Sequence, residues 1–298
     1  MGIVNKLMEV KMLKKRIENM LNKDYHEAEG ISSSVLKTAL KSPAHLDILF
    51  KKGFKKSKAM SLGEAIHCYI LEPKRFEEDY SIQTETYKRK IGDHNVGDPK
   101  LDDEGNPIRS LVNKNNDELN VEGEEFVKFN SMIDAYNNCP EAKELVSQQA
   151  ETEVSYFYDR FKVRPDMITK DGWIVDIKTV GGIDDNPSDP KNFCNDFFKF
   201  GYDLQMYMYE NIIKQFNPNI KGFKFLCLDA KEPSGVKIYT FINGQSKWFE
   251  IGGYRFHDAL KIYDEYKQTN NTVKYSKVCE DDMDLSYAAA DYLSTREV

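Results

Sequence analysis

The chain has 298 residues, of which 40% are hydrophobic and 31% are charged, and its formal net charge is −7. This composition is typical of a folded protein with one large domain and excludes a mainly disordered chain. The negative charge argues against a protein that binds nucleic acid by overall charge alone, but it is compatible with an acidic catalytic site beside a local basic groove.

Neither membrane insertion nor secretion is indicated by the sequence. Its apolar runs fall short of the ~20 residues that span a bilayer. The first 21 residues carry charges among their apolar residues and have no small-residue cleavage site, so we do not expect a secretory signal. The five cysteines are odd in number and widely separated, which argues against disulfides, zinc and an iron–sulfur cluster. They are Cys68, Cys139, Cys194, Cys227 and Cys279. We therefore expect a soluble cytoplasmic protein with reduced thiols.

The first sixty residues predict an N-terminal helical extension. Residues 4–22 have the apolar spacing of an amphipathic helix, and the serines at 32–34 can cap a second helix that runs through Leu40. A short helix over 44–50 leads to a basic segment at 51–58, which is either a solvated turn or a patch that contacts phosphate. The basic residues considered for such contacts are Lys51, Lys52, Lys55 and Lys56.

Residues 61–270 are expected to form the core of the protein. A helix over 61–72 carries His67, a lone histidine that either packs in the core or binds a metal. Residues 92–117 are rich in Gly, Asp, Asn and Pro and predict a long mobile loop. Helices are expected over 121–136 and 141–148.

The second half of the core alternates between strands and helices. Strands are predicted at 153–162, 163–168, 173–179, 221–229 and 235–242, with helices over 195–216 and 248–267. We therefore expect an α/β or α+β fold with a central mixed β-sheet flanked by helices. Residues 271–298 form an acidic tail that is either a docked helix or a partner-binding end.

A tight β-hairpin is the most informative feature of the sequence. Residues 163–178 read VRPDMITKDGWIVDIK, and Lys170, Asp171 and Gly172 suit a three-residue loop in which glycine takes the left-handed conformation. The cross-strand pairs that this loop predicts are Thr169–Trp173, Asp166–Asp176 and Arg164–Lys178. Because side chains alternate between the two faces of a strand, one face of the hairpin is expected to be charged and the opposite face apolar. The apolar face comprises Trp173, Val175 and Ile177.

Two opposed aspartates in this hairpin indicate a candidate metal site. Directly opposed side chains have Cβ atoms about 5 Å apart, and two negative charges there repel by roughly 3 kcal/mol at an effective dielectric near 20. A hard divalent cation between Asp166 and Asp176 removes that repulsion. Lys178 is expected to lie over the same site, where it can polarise an attacking water or hold a phosphate oxygen. The alternative is a solvated hairpin with a patchwork of surface charges.

The helix predicted over 195–216 adds two polar side chains. Gln205 and Tyr209 are four residues apart and therefore share a helix face. Either the helix is simply an aromatic-rich core element, or these two groups reach toward a phosphate or a metal-bound water.

Together these motifs resemble the PD-(D/E)XK nuclease superfamily. Pro165 and Asp166 match its PD element, and residues 176–178 match the acid-x-lysine element with Asp in place of the commoner Glu. Residues 205–209 resemble the QxxxY element of the RecB-like branch, and residues 63–67 resemble its GxxxH element. The likeness is closest to the exonuclease VIII group of phage and prophage recombination enzymes. It covers residues 31–225 and leaves the first thirty residues unmatched.

The resemblance implies a restriction-endonuclease-like core and a set of site residues. His67, Asp166, Asp176 and the backbone carbonyl of Ile177 would bind one or two Mg²⁺ ions. Mn²⁺ would substitute, and Ca²⁺ would bind without turnover. Lys178 would activate the attacking water, whereas Gln205 and Tyr209 would orient the scissile strand. Glu153 would add a further carboxylate.

The resemblance also implies a substrate and partners. Such proteins degrade one strand of linear duplex DNA, typically 5′ to 3′, pass the exposed 3′ strand to an annealing protein, and often form rings. The basic residues that would contact DNA are Lys51, Lys52, Lys55, Lys56, Lys88, Arg89 and Lys90. Two alternatives remain at this point. One is a RecB-like nuclease specific for single strands, and the other is a non-catalytic scaffold that binds DNA ends during recombination.

Overall fold

The computed structural model describes residues 14–53, 56–181, 193–270 and 272. Its strands are β1 (Lys14–Ile17), β2 (Tyr80–Thr84), β3 (Arg109–Asn113), β4 (Gln149–Thr152), β5 (Ser155–Tyr158), β6 (Phe161–Val163), β7 (Met167–Thr169), β8 (Trp173–Val180), β9 (Gly222–Asp229) and β10 (Val236–Ile242). Its α-helices are α1 (Asn22–Glu27), α2 (Ser33–Ala39), α3 (Pro43–Lys52), α4 (Lys58–Leu71), α5 (Pro73–Asp79), α6 (Glu124–Asn137), α7 (Pro140–Ser147), α8 (Phe193–Lys199), α9 (Tyr202–Ile213) and α10 (Lys247–Thr269). Within these described ranges, no helix is both long enough and apolar enough to cross a bilayer.

A five-stranded mixed sheet lies at the centre of the fold. Its strand order is β10-β9-β8-β7-β4, and β8 runs parallel to β9 while the other neighbours are antiparallel. The connection from β8 to β9 passes through α8 and α9, as a parallel pair requires a long crossover. The predicted α/β architecture with a central mixed sheet is therefore confirmed.

Both faces of this sheet are buried under helices. One face carries Ile168 and Ile174 and packs in a cluster with residues of α2, α3, α9 and α10. The opposite face carries Val175 and Ile177 and packs in a second cluster with residues of α4, α6 and α7. The apolar side of the predicted hairpin is thus confirmed. The idea that its other side is a purely charged face is wrong, because the isoleucines of that side belong to the core.

The β7–β8 hairpin has the predicted register but is shorter than expected. Met167 pairs with Val175 and Ile168 pairs with Ile174. Gly172 in the connecting loop has φ +91°, and a Cβ there would lie 2.6 Å from the carbonyl oxygen of Asn219, so both the conformation and the close approach require glycine. Because β7 begins only at Met167, Asp166 lies just before the paired region.

Arg164 does not oppose Lys178, contrary to the prediction. It follows β6, which pairs with β5 in a separate three-stranded sheet of order β1-β5-β6. The Arg164 guanidinium is buried there and donates to Ser155 Oγ at 2.9 Å and to the carbonyl oxygen of Met20 at 2.8 Å. Lys178 instead lies beside Cys227 of the parallel strand β9.

Five predicted elements differ from those observed. Residues 14–17 of the predicted first helix form strand β1, which pairs with β5, and residues 1–13 lie outside the described part of the chain. The predicted loop over 92–117 contains β3, which pairs with β2. The single strand expected at 153–162 is a hairpin of β5 and β6, and the strand expected at 163–168 is reduced to β7. The helix expected over 195–216 is divided into α8 and α9 at Gly201, which has φ +66°.

Candidate active site

Side chains from four parts of the fold meet at one edge of the β7–β8 hairpin. Helix α4 contributes His67, the link between β4 and β5 contributes Glu153, and the residue before β7 is Asp166. Ligand atoms of these three residues all lie within 4.8 Å of one another. On the adjoining strand, β8 carries Asp176 and Lys178, whose side chains point to the same face because they are two residues apart.

Strand β8 extends beyond its short partner, and the backbone of Ile177 is therefore open on that side. The N–H of Ile177 donates to Asp166 Oδ2 at 2.7 Å, and its carbonyl oxygen lies 2.8 Å from His67 Nε2. His67 Nδ1 is 3.5 Å from Asp166 Oδ2. Two backbone groups that a longer β7 would have paired are thus held by two candidate metal ligands.

Glu153 takes an unusual backbone conformation to enter this cluster. Its φ is +51°, in the left-handed region that residues other than glycine rarely adopt. Its backbone N–H donates to the carbonyl oxygen of Asp166 at 3.1 Å, and its carboxylate lies 3.6 Å from the guanidinium of Arg164. Such conformations persist only where the surrounding structure enforces them, and they concentrate at functional sites.

Asp176 is held at both carboxylate oxygens. Oδ1 accepts a hydrogen bond from Gln205 Nε2 at 2.5 Å, and Oδ2 forms an ion pair with the ammonium group of Lys178. The Asp176 side chain is only 2% exposed. The Lys178 ammonium also lies 4.9 Å from the ring centroid of Tyr202. The lysine is therefore fixed by a carboxylate and an aromatic face rather than free to sample solvent.

Burial shapes the electrostatics of the cluster. It raises the pKa of Glu153 to about 7, with the nearby Asp166 charge adding to the effect. Burial and the charge of Asp176 also raise the pKa of Asp166 well above its ordinary value. Burial lowers the pKa of His67, so its imidazole is neutral at physiological pH, as a metal ligand must be. Burial by itself lowers the pKa of Lys178. The combined effects of Asp176, Tyr202 and Asp166 exceed that of burial and raise this pKa, so the amine stays protonated.

The donor set fits a hard divalent cation. Carboxylate and carbonyl oxygens with one imidazole suit Mg²⁺ or Mn²⁺, and a cation would relieve the repulsion between Asp166 and Asp176. The 2.8 Å between His67 Nε2 and the Ile177 carbonyl oxygen is also informative. Neighbouring ligands on an octahedral ion with bonds of about 2.1 Å are about 3 Å apart, so these two atoms already have that spacing.

The remaining predicted residues are Tyr209, which interacts electrostatically with Asp176 and Asp166, and the basic residues. Tyr209 is buried in the core and packs near the ring of Phe223, and burial raises its pKa well above the ordinary value. The basic residues have varied positions. Lys51 pairs with Asp47 at 2.8 Å, Lys56 pairs with Glu64, and Lys55 lies outside the described residues. Those exposed to solvent are Lys51, Lys52, Lys88, Arg89 and Lys90. Contact between these residues and DNA stays a prediction.

Two residues beside the site, Lys37 and Tyr202, were not found from the sequence. Lys37 of α2 donates to Gln205 Oε1 at 2.6 Å, and its ammonium lies 5.2 Å from the ring centroid of Tyr202. Burial and the neighbouring Lys178 lower the pKa of Lys37 to about 7. The nearest sequence signal is that Lys37 follows Ser33 by one helical turn, which places both on one face of α2. That spacing alone does not distinguish Lys37 from a surface lysine.

A family assignment follows from comparison with known proteins. The family described as PDDEXK-like domain of unknown function (DUF3799) matches residues 32–282. The chain belongs to this family. The predicted membership of the PD-(D/E)XK superfamily is thereby confirmed, whereas the closer likeness to the exonuclease VIII group stays a prediction.

One solved structure supports the same fold. The chain is similar to the crystal structure of a candidate exonuclease from Eubacterium rectale, with a TM-score of 0.57 and 14% sequence identity. The match covers 95% of this chain and 100% of that chain. At this identity the likeness speaks for the fold alone, and it agrees with the predicted restriction-endonuclease-like core. A search of curated proteins found no significant match.

Proposed function

We propose that this member of the DUF3799 family is a Mg²⁺-dependent exodeoxyribonuclease that degrades one strand of linear duplex DNA. The observation that carries the proposal is the cluster of His67, Glu153 and Asp166, whose ligand atoms lie within 4.8 Å of one another. The Ile177 backbone contacts two of these residues, and the ion pair of Asp176 with Lys178 is on the same strand. Oxygen ligands and one imidazole thus lie near the ammonium group of Lys178, which Asp176 holds in place. Membership of a PDDEXK-like family and a fold shared with a candidate exonuclease support the nuclease class.

The proposed metal ligands are His67, Asp166, Asp176 and the Ile177 carbonyl, with Glu153 as a further carboxylate. Mn²⁺ would substitute for Mg²⁺, and Ca²⁺ would bind without turnover. When bound, such a cation supplies a polarised water and neutralises charge on the phosphate. The protein itself keeps His67 neutral by burial and fixes Asp166 with the Ile177 N–H. The side chains of His67 and Asp166 therefore already have fixed positions without a bound ion.

Lys178 is proposed to act on the phosphodiester as a positive charge. Its pKa is raised by Asp176, so the amine is protonated and is suited to holding a phosphate oxygen or polarising the attacking water. In the reaction, the water oxygen forms a bond to phosphorus and releases its proton to solvent, the bond from phosphorus to the leaving oxygen breaks, and the leaving oxygen takes up a proton from solvent. Negative charge grows on the phosphate oxygens during this step, and the fixed ammonium is placed to stabilise it.

Gln205 is proposed to position Asp176, which it contacts directly. Tyr209, which the resemblance places with Gln205, is buried in the core and is proposed to support α9 and the scissile strand indirectly. The exposed Lys51, Lys52, Lys88, Arg89 and Lys90 are proposed to contact the DNA backbone, together with Lys55 and Lys56. Digestion from the 5′ end, delivery of the 3′ strand to an annealing protein and a homo-oligomeric ring are further parts of the proposal, supported by the likeness to the exonuclease VIII group.

A substrate comparison tests the function. The protein is incubated with Mg²⁺ and linear duplex, single-stranded or closed circular DNA, and acid-soluble nucleotides are measured. Release from linear duplex alone, abolished by EDTA, supports the proposal. Preferential release from single strands would favour a single-strand-specific nuclease. Binding of duplex ends without any release would favour a non-catalytic recombination scaffold. Strand-labelled substrates then give the direction of digestion.

A further inference from the structure

Lys37 reaches the candidate active site from α2, which carries none of the PD, acid-x-lysine, QxxxY and GxxxH elements. It lies on α2, 168 residues before Gln205, and donates to the Gln205 side-chain oxygen at 2.6 Å. Gln205 in turn donates to Asp176 Oδ1 at 2.5 Å. The three side chains form a continuous hydrogen-bonded chain that ends on a proposed metal ligand.

The chemistry of the three groups allows only one direction for these hydrogen bonds. An ionised carboxylate only accepts hydrogen bonds, so the NH₂ group of Gln205 must face Asp176. The amide oxygen of Gln205 must then face Lys37, and an amine can donate to it whether or not it is protonated. Lys37 therefore fixes which way the Gln205 amide is turned.

The surroundings hold Lys37 in this place. A Cβ on Gly201 would lie 3.1 Å from Lys37 Cγ, so the lysine stem runs close over the glycine that precedes α9. Its ammonium and that of Lys178 lie 5.2 Å and 4.9 Å from the same ring centroid of Tyr202. Lys178 engages the second oxygen of Asp176. One carboxylate oxygen of Asp176 therefore accepts a hydrogen bond from Gln205, and the other forms an ion pair with Lys178.

We infer that Lys37 is a positioning residue of the active site, which orients the Asp176 carboxylate for the divalent cation by fixing the Gln205 amide. The inference rests on the proposed function, because it assigns Asp176 to the cation. Partners that orient a metal ligand typically contribute 10- to 100-fold in metal affinity. Simple charge repulsion predicts the opposite sign, since loss of a nearby positive charge would strengthen cation binding. The direction of the change therefore separates the two roles.

A double-mutant cycle on Mn²⁺ binding tests the inference. The dissociation constant of Mn²⁺ is measured by titration calorimetry on the DNA-free protein, for wild type, Lys37→Met, Gln205→Met and the double variant. We expect about 10-fold weaker binding for Lys37→Met and no additional loss in the double variant beyond Gln205→Met alone. Lys41→Met, an exposed lysine next to the same helix, is the matched control and is expected to bind as wild type does.

Unchanged or tighter binding by Lys37→Met, or losses that add in the double variant, would overturn the inference while the proposed function stands. Failure of wild type to bind Mn²⁺ would instead remove the proposed function and the inference with it. Circular dichroism confirms folding of each variant. If Lys37→Met does not fold, Gln205→Met decides alone, because binding equal to that of wild type would show that the amide does not orient Asp176.

Discussion

Asp166 accepts a hydrogen bond at 2.7 Å from the backbone N–H of Ile177, a residue that pairs with β9 but not with β7. Strand β7 begins at Met167, which pairs with Val175, so Ile177, two residues further along β8, has no partner on β7. Because β7 begins only at Met167, the backbone N–H and carbonyl oxygen of Ile177 have no partner on that strand. Asp166 contacts the N–H, and His67 contacts the carbonyl oxygen. Shortening one strand is what brings the acid and the imidazole together.

Loss of Lys178 or Asp166 should abolish catalysis without unfolding the protein. We expect Lys178→Ala and Asp166→Ala each to lower the rate of Mg²⁺-dependent digestion of linear duplex about 100-fold or more, because each removes charge stabilisation or a metal ligand. Acid-soluble release measures the rate, and circular dichroism checks the fold. Lys41→Ala, an exposed lysine, should digest DNA at the wild-type rate. Near-normal digestion by either site variant would contradict the assigned roles.

Divalent cations should stabilise the folded protein. At a Mn²⁺ concentration about 100 times the dissociation constant, binding to the native state alone adds about 2.7 kcal/mol to the free energy of unfolding. For a chain of 298 residues that corresponds to a rise of roughly 4 °C in the melting temperature. Differential scanning calorimetry with Mn²⁺ and with EDTA measures the shift. The Asp166→Ala variant should show a much smaller shift, and an equal shift in both proteins would place the ion elsewhere.

Glu153 should make the metal-free protein less stable as the pH rises. Its pKa is raised to about 7 in the folded protein, so folding favours the neutral carboxyl. This contribution to stability is complete below the ordinary pKa near 4.5 and is lost as the pH rises through 7. In EDTA, Glu153→Gln should therefore unfold at a higher temperature than wild type at pH 8 and at a similar temperature near pH 4.5. Because the side chain is 37% exposed, we expect a gain of only about 1 kcal/mol.

Glu144→Gln is the control for the pH experiment, because Glu144 is an exposed carboxylate on α7. Its unfolding temperature should follow that of wild type at both pH values. A Glu153→Gln variant that is destabilised at pH 8 would contradict the account, since it would mean that the ion pair with Arg164 outweighs the cost of burying the carboxylate.

Gly172 should be essential for the hairpin. Gly172→Ala combines a left-handed backbone with a Cβ 2.6 Å from the Asn219 carbonyl oxygen, so we expect a loss of about 2 kcal/mol or more in denaturant unfolding. Gly97→Ala is the matched control. Gly97 has φ +94° but no atom within 4 Å of a Cβ, so only the backbone strain of about 1 kcal/mol applies. Equal losses would mean that the close approach to Asn219 is unimportant.

The hairpin could be predicted because its information is local. A glycine loop and period-two alternation fix the register, and Met167–Val175 and Ile168–Ile174 pair as that register requires. The residue at which β7 begins, Met167, could not be predicted in this way. Arg164 lies beside the neighbouring three-stranded sheet, where it donates hydrogen bonds to Ser155 and Met20. Both residues are distant in sequence from the loop that sets the register.

Other elements depend on tertiary contacts that override local pattern. Residues 14–17 have helical apolar spacing, yet they pair with β5, and Arg16 lies over the ring of Tyr156 and pairs with Glu151 at 3.1 Å. Strand β3 lies in a segment whose composition is typical of a loop, and it forms a strand by pairing with β2. Lys37 was missed for the same reason, because its hydrogen bond joins residues that only the fold brings together.

A crystal soaked in Mn²⁺ would show where the divalent cation binds. Anomalous scattering locates manganese independently of the protein atoms. We expect a manganese peak at the β7–β8 edge, coordinated by Asp166, Asp176, His67 and the carbonyl oxygen of Ile177. A fully occupied manganese bound elsewhere, with this edge empty and the Asp176–Lys178 ion pair undisturbed, would contradict this expectation.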